Sequence, residues 1–151
     1  MLNEYYRERN YEKVIELYMD VNPSEVTDEN VVTKVAESYR KLGRIAEGIV
    51  WMERLVELKP ERRPLERLCE AYRKVGATSE QWRQLLDLAT GKSKECEAVS
   101  RYFHQKLSGA DSAILAELAQ EMLDEVIAYD DVLYFEAAEY LDRTYYLKQI
   151  L

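Results

Sequence analysis

The sequence is poor in the residues that turns, metal sites and catalytic centres require. Its 151 residues include five Gly, three Pro, two Cys and one His. A β-rich fold needs many turns that contain Gly and Pro, so this scarcity favours an all-α fold. The two cysteines, Cys69 and Cys96, are too few for a disulfide framework, and we expect both to be reduced thiols.

The residue patterns of catalysis are lacking as well. The sequence contains neither a Gly-rich phosphate loop nor a nucleophile elbow. Cys69 and Cys96 do not have the spacing of a zinc site, and the single histidine, His104, does not complete one. We expect His104 to be a polar residue at the surface or at the edge of a groove. The sequence therefore predicts no catalytic activity, no cofactor and no metal site.

Long apolar runs and an excess of cations are also missing. No apolar run approaches the roughly 18–20 residues that a membrane helix needs, and the first residues, MLNEYYRERN, have no apolar signal core. The net charge is −8, and residues 93–151 carry 5 Lys/Arg against 12 Asp/Glu. An acidic chain is a poor ligand for the phosphate backbone of a nucleic acid. We expect no membrane and no nucleic-acid partner, and either a cytoplasmic protein or a piece of a larger one.

What the sequence does contain is a repeat. The segments Glu37–Gly43 (ESYRKLG) and Glu70–Gly76 (EAYRKVG) agree at five of seven positions and lie 33 residues apart. This shift places Tyr39 on Tyr72, and a shift of 34 in the other direction places Tyr39 on Tyr5. Self-similarity at such a period is typical of proteins built from stacked helical or mixed repeats.

One repeat, residues 29–61, shows what each unit contains. Its first half has apolar residues at helical spacing and ends at Gly43, where a left-handed cap suits glycine. Its second half has a second apolar stripe and ends at Pro60. One face of such a helix pair stays apolar, so the next pair must cover it. The apolar positions are Val32, Val35, Ala36, Tyr39, Ile45, Gly48, Ile49, Met52, Leu55 and Val56.

This pattern resembles the tetratricopeptide repeat, a helix–turn–helix unit of 34 residues. Ala36 and Gly48 stand at the positions that the family fills with small residues, and Tyr39 stands at an aromatic position. Pro60 matches the terminating proline, whereas Leu55 departs from the Ala that is usual there. The resemblance implies an all-α, right-handed solenoid of antiparallel helix pairs, with about nine helices in this chain.

The repeats predict a single domain over residues 1–151. It contains a partial unit at 1–28, full units at 29–61 and 62–92, and degenerate helices over 93–151. Within it, Ser79 is expected to cap the second helix of the unit at 62–92, and Asp111 or Ser112 is expected to cap a later helix.

The resemblance also implies where a partner binds, because the first helices of such stacks line a concave groove. The two YRK triplets place cations at equivalent positions of neighbouring helices, and arginine offers a planar fork that fits a carboxylate. We therefore expect an acidic or C-terminal segment of another protein to bind there. Alternatively, Glu37 and Glu70 pair with these cations locally, and the row serves solubility. The candidate binding residues are Tyr6, Arg7, Arg40, Lys41, Arg73, Lys74 and Arg101.

Aromatic residues crowd the end of the chain. Three interpretations stay open: the last helix caps the stack, two copies meet there as a homodimer, or a downstream segment covers it. The predicted function is a non-catalytic scaffold for protein–protein interaction. The alternative is a regulatory or dimerisation module of a larger enzyme or signalling protein. The aromatic residues concerned are Tyr129, Tyr134, Phe135, Tyr140, Tyr145 and Tyr146.

Overall fold

The structure, a computed structural model, describes residues 1–125 and 131–141 of the chain. Within those ranges it contains nine α-helices and no strand, which confirms the predicted all-α fold and helix number. None of these described helices is both long and apolar enough to cross a membrane. The helices are α1 (Leu2–Arg7), α2 (Tyr11–Tyr18), α3 (Glu29–Lys41), α4 (Ile45–Leu58), α5 (Arg62–Val75), α6 (Ser79–Ala89), α7 (Lys94–Leu107), α8 (Ser112–Glu125) and α9 (Asp131–Ala138).

The chain divides into two compact units. The first, Met1–Gly76, contains α1 to α5, and the second begins at Ala77 and contains α6 to α9. The boundary lies between α5 and α6, inside the predicted repeat at residues 62–92. The pairing of these two helices as one repeat therefore stays a prediction, as does a single domain over residues 1–151.

In the first unit, each helix packs against the next one along the chain. The predicted stripe of α3 is confirmed, because Val32, Val35, Ala36 and Tyr39 are all buried. Full burial of an aliphatic side chain contributes about 1.5–3 kcal/mol. The spacing of these residues thus favours a helix over this segment and places their side chains together in the core.

The buried residues of α4 differ from its predicted stripe. Gly48, Met52 and Val56 are buried as expected. By contrast, Ile45, Ile49 and Leu55 are only half-buried.

Trp51 flanks the stripe in the sequence and is nevertheless only 3% exposed. Its ring meets that of Tyr18 edge to face, with the ring centres 6.1 Å apart. Trp51 is therefore a core residue that packs between α2 and α4.

Helices α3 and α4 approach each other closely at Gly48. A Cβ atom on Gly48 would lie 2.3 Å from the Cβ atom of Tyr39, well inside van der Waals contact. The crossing therefore requires a residue without a side chain at this position. This is the role that the resemblance implies for a small residue in the second helix of a repeat.

Aromatic contacts contribute to the core of the second unit. Helix α7 packs against both α6 and α8, and α8 packs against α9. Trp82 of α6 is buried and stacks on Phe103 of α7, with ring centres 4.9 Å apart and an interplanar angle of 17°. The buried Tyr102 of α7 donates a hydrogen bond of 3.0 Å to Glu136 of α9. These contacts fix α7 between its neighbours.

Both cysteines are buried free thiols, as predicted. Cys69 lies in α5 within the first unit, and Cys96 lies in α7 within the second. A free cysteine behaves as a small apolar residue, so each of the two serves as a packing residue in its own helix.

Side-chain caps set the starts of several helices. Asp28 accepts a hydrogen bond of 2.9 Å from the amide of Asn30 at the start of α3. The predicted cap at Ser79 is wrong. Thr78 caps α6 in a reciprocal capping box with Gln81, because the Gln81 side chain reaches back to the Thr78 amide. Asp111 accepts from the amide of Ile114 at 3.0 Å, which selects Asp111 as the cap of α8.

A backbone feature recurs with the period of the repeat. Arg9, Gly43, Gly76 and Gly109 all have positive φ angles, between 61° and 85°. They follow α1, α3, α5 and α7 respectively, and lie 34, 33 and 33 residues apart. The helices that come after them begin at residues 11, 45, 79 and 112. A fifth described residue with positive φ, Gly91 at 78°, lies outside this period. The period thus continues in the backbone beyond residue 92, where the side-chain pattern decays.

Candidate functional site

A cleft of about 260 Å³ opens in the first unit among α3, α4 and α5. Cations project into it from two helix ends: Arg40 lies in the last turn of α3 and Lys74 in the last turn of α5. Cations are favoured there because the carboxyl end of a helix carries partial negative charge. The cleft is lined, among others, by Arg40, Ile45, Met52, Arg67, Glu70 and Lys74.

The cleft brings together two of the seven predicted binding residues. Arg40 comes from the first matched segment and Lys74 from the second, although the two do not occupy equivalent positions in the repeat. The third cation, Arg67, was missed by the sequence analysis. Its signal is helical spacing: Arg67, Glu70 and Lys74 stand at i, i+3 and i+7, on one face of α5.

A carboxylate joins Arg40 to Arg67. Glu37 accepts from Arg40 Nη2 at 2.8 Å and from Arg40 Nε at 3.1 and 3.2 Å. The same carboxylate lies 3.9 Å from Arg67 Nε, so it links α3 to α5. The hydrogen bond that Arg40 donates to Glu37 raises the pKa of Arg40 above its ordinary value, against the opposing effect of partial burial. The planar fork of Arg40 is therefore already occupied by a carboxylate of the same chain.

A second carboxylate lies beside Lys74. Glu70 Oε1 and Lys74 Nζ are 3.1 Å apart. Partial burial raises the pKa of Glu70, but the hydrogen bond from Lys74 and the charges of Lys74, Arg73 and Arg67 outweigh it, so the pKa lies below the ordinary value. Glu70 is thus ionised at neutral pH, and three cations of the cleft area face two carboxylates.

The other predicted residues of the first unit have different surroundings. Tyr6 is half-buried, and Lys34 Nζ lies 5.8 Å from the centre of its ring. Arg73 is half-buried on α5, and its charge acts on Glu70. Arg7 and Lys41 are exposed and form no ion pair within the described part of the chain. Arg7 and Lys41 stay candidates for contact with a partner, and exposure is the one observation that supports them.

Arg101 belongs to the second unit. It is half-buried on α7, and its guanidinium donates a hydrogen bond to Glu121 of α8. This contact joins two neighbouring helices, so Arg101 has a packing role within its own unit. Its predicted part in partner binding stays a prediction.

His104 forms a polar cluster rather than a free surface group. Its Nδ1 lies 3.0 Å from the Ser79 carbonyl oxygen and 2.8 Å from Ser79 Oγ, and Ser79 Oγ lies 2.8 Å from Ser108 Oγ. A carbonyl oxygen only accepts, so we assign the proton to Nδ1. An Nδ1–H donor cannot remove the proton of the Ser79 hydroxyl, so the pair does not form an activated nucleophile. The cluster instead fastens the start of α6 to the end of α7.

Groups of His, Cys, Asp and Glu that could hold a metal ion do not occur in the described ranges. The aromatic end of the chain lies partly within those ranges. Phe135 is 52% exposed, and Tyr140 meets the buried Tyr102 ring edge to face at 6.3 Å. Tyr134 is half-buried. The residues Tyr129, Tyr145 and Tyr146 lie outside the described residues, so the interpretations of this end as cap or interface stay predictions.

Comparison of the chain with protein-family models, with curated proteins and with solved structures finds no match. The assignment of a function therefore depends on the charged cleft and on the repeat itself.

Proposed function

We propose that the chain is a tetratricopeptide-like, right-handed solenoid of antiparallel helix pairs, and that it acts as a non-catalytic scaffold that binds another protein. The segment bound is acidic and lies in the cleft of the first unit. The observation that carries this proposal is the cleft itself, where Arg40, Arg67 and Lys74 surround an apolar floor of Ile45 and Met52.

The backbone period supports the repeat. Positive φ angles recur at residues 9, 43, 76 and 109, each directly before the second helix of a proposed pair. The close approach of Gly48 to Tyr39 supports the tetratricopeptide type of pair, because the family places a small residue in the second helix at the crossing. The two buried thiols support the cytoplasmic location that we propose, since reducing compartments keep cysteines unpaired.

The charges support an acidic ligand. Local pairing accounts for part of the cation row, because Glu37 pairs with Arg40 and Glu70 with Lys74. The three cations that line the cleft still outnumber by one the two carboxylates that pair with them, Glu70 in the lining and Glu37 beside it. The apolar floor can receive the aliphatic parts of a bound segment, while the arginine forks select its acidic groups.

A library of displayed random peptides, panned on the purified protein, tests this function. We expect acidic sequences to be enriched, and their binding to weaken about tenfold in the variants Arg40→Gln and Lys74→Gln. The matched control is Lys13→Gln. Lys13 pairs with Glu16 on α2 in the same local manner, but it does not line the cleft.

Circular dichroism and thermal unfolding of each variant separate lost binding from lost folding. The proposal is contradicted if panning enriches no acidic sequence. It is equally contradicted if folded Arg40→Gln and Lys74→Gln variants bind the enriched peptides as well as the wild type does.

The second candidate function is a dimerisation or regulatory module of a larger protein. The observation that favours it is Phe135 of α9, an aromatic side chain that is 52% exposed. Light scattering across a concentration series tests it. A dimer that Phe135→Ser converts to a monomer supports this candidate, and a monomer at all concentrations excludes self-association through this surface.

A further inference from the structure

An anion of the same chain lies beside the cleft and pairs with two of its cations. The Glu37 carboxylate takes hydrogen bonds from both Arg40 Nε and Arg40 Nη2, and it also lies within ion-pair distance of Arg67. A partner that uses the Arg40 fork must therefore displace Glu37. The Glu37 side chain is 24% exposed, so it borders solvent and can rotate outward without leaving a buried charge behind.

The charge of the ligand determines whether it binds better than the Glu37 carboxylate that it displaces. A partner carboxylate carries one negative charge and two oxygens, so it replaces Glu37 like for like. A phosphate monoester carries a charge of about −1.5 to −2 and three acceptor oxygens. With Glu37 displaced, the three cations Arg40, Arg67 and Lys74 and the remaining carboxylate of Glu70 leave a net charge of +2. That charge matches a phosphate and exceeds a carboxylate.

We infer that the cleft takes a phosphate monoester carried by a side chain of the partner protein, and that Glu37 is the internal carboxylate that it displaces. This inference rests on the proposed function and narrows its ligand. The two arginines supply planar donors for the phosphate oxygens, and Lys74 supplies a point charge.

The apolar floor indicates a phosphorylated protein segment rather than the free ion. Ile45 and Met52 line the same cleft as the cations, together with Ala71. Inorganic phosphate has no apolar part to place there, whereas residues that flank a phosphorylated side chain do. Binding of the free ion therefore has less contact to stabilise it.

Three degenerate peptide libraries with a fixed central residue test the inference: phosphoserine, glutamate or serine. We expect the wild-type protein to retain the phosphoserine library about tenfold better than the glutamate library, and not to retain the serine library. The variant Glu37→Gln should strengthen binding of the glutamate library about threefold or more. Glu16→Gln is the matched control, because Glu16 pairs with Lys13 outside the cleft.

The outcomes separate the inference from the proposed function. If the protein retains the glutamate library as well as or better than the phosphoserine library, and this retention still depends on Arg40, the phosphate inference is overturned. The proposed binding of an acidic segment then stands. An unchanged or weaker glutamate signal in folded Glu37→Gln overturns the displacement of Glu37. If the protein retains none of the libraries, or retains the serine library as well as the other two, both the phosphate inference and the proposed function are overturned. If inorganic phosphate displaces the phosphoserine peptides at a concentration equal to theirs, the assignment of the ligand to a protein segment is overturned.

Discussion

At the scale of single residues, the contact between Gly48 and Tyr39 determines how closely α3 and α4 can pack. A Cβ atom on Gly48 would meet both Cβ and Cγ of Tyr39, at 2.3 and 2.7 Å. The Cβ atom is bonded directly to the α3 backbone, so it cannot rotate away as the end of a long side chain would. Any side chain at residue 48 therefore pushes the two helices apart.

We predict that Gly48→Ala lowers the free energy of unfolding, although alanine is the better helix former. Overpacking costs about 1–3 kcal/mol, whereas the gain in helix propensity is only about 0.5–1 kcal/mol. Urea unfolding measures the difference. Val50→Ala, at an exposed position of the same helix, is the control and should stay within about 0.5 kcal/mol of the wild type. A Gly48→Ala variant more stable than the wild type would show that the helices do not cross as closely as described.

Tyr72 offers a second test, through pH. Its hydroxyl is buried and donates a hydrogen bond of 2.6 Å to Glu53. Burial, the hydrogen bond to Glu53 and the charge of Glu53 all raise the pKa of Tyr72 above its ordinary value. The neutral phenol is thus favoured in the folded state. The resulting stability is fully present below the unfolded-state pKa of about 10 and is lost as pH rises above it.

The variant Tyr72→Phe should be less stable than the wild type at pH 8, because Glu53 loses its donor. A hydrogen bond to a charged group is worth about 1.5–3 kcal/mol. Above pH 10 this deficit should shrink. Tyr72 ionises there in the unfolded wild type, which lowers the stability of the wild type, whereas Tyr72→Phe has no such group. Urea unfolding at several pH values measures both effects. The control Leu68→Val should keep a constant deficit, and a constant deficit in Tyr72→Phe as well would refute the raised pKa.

At the scale of elements, α1, α3 and α7 end with one shared hydrogen-bond pattern. The amides of Asn10, Arg44 and Ala110 bond to carbonyl oxygens five residues earlier, at 2.8, 2.9 and 3.0 Å. Each follows a residue with positive φ, as in a Schellman motif. Helix α5 ends with the simpler left-handed cap, in which Gly76 bonds to the Tyr72 carbonyl at 3.0 Å. A residue in the left-handed conformation thus follows the helix in all four places, glycine in three of them and arginine in one.

Substitutions at two of these turns should change the free energy of unfolding in opposite directions. Gly76→Ala should cost about 1 kcal/mol, because nothing crowds a Cβ atom there and only the left-handed backbone penalises it. Arg9→Gly should stabilise by up to about 1 kcal/mol, since it removes that penalty from a residue with φ 61°. Thermal unfolding of the two variants measures both signs. Destabilisation by Arg9→Gly would mean that the Arg9 side chain contributes more than its backbone costs.

The sequence predicted the elements well where side-chain spacing carries the information. The stripe of Val32, Val35, Ala36 and Tyr39 identified the buried face of α3, because burial and helical period act on the same residues. The start of α6 was placed one residue late. Thr78 and Ser79 are both good caps, and only the reciprocal hydrogen bond with Gln81 distinguishes them.

The candidate site was predictable only in part, for a related reason. Arg40 and Lys74 belong to the matched segments, so the repeat pointed to them. Arg67 lies outside those segments, and its position near Glu37 depends on how α5 packs against α4. The continuation of the period to Gly109 was also missed, because it is preserved in backbone conformation while the side-chain pattern around it changes.

At the scale of the whole molecule, an acidic chain presents a locally cationic cleft. The net charge of −8 repels an acidic partner at long range, whereas Arg40, Arg67 and Lys74 attract it at contact distance. Such a balance favours a ligand that concentrates its negative charge at one point over one that spreads the charge along a segment. This balance agrees with the inference that the cleft takes one phosphorylated side chain of the partner.

The most direct test of this account is to map the binding site by nitrogen–proton correlation NMR, as a panned acidic peptide is titrated into the labelled protein. If the peptide binds in the cleft, the amide signals around Arg40, Arg67 and Lys74 shift with one common affinity, while those around Lys13 on α2 do not. Shifts confined to other residues, with the three cleft signals unchanged at saturation, would contradict this account.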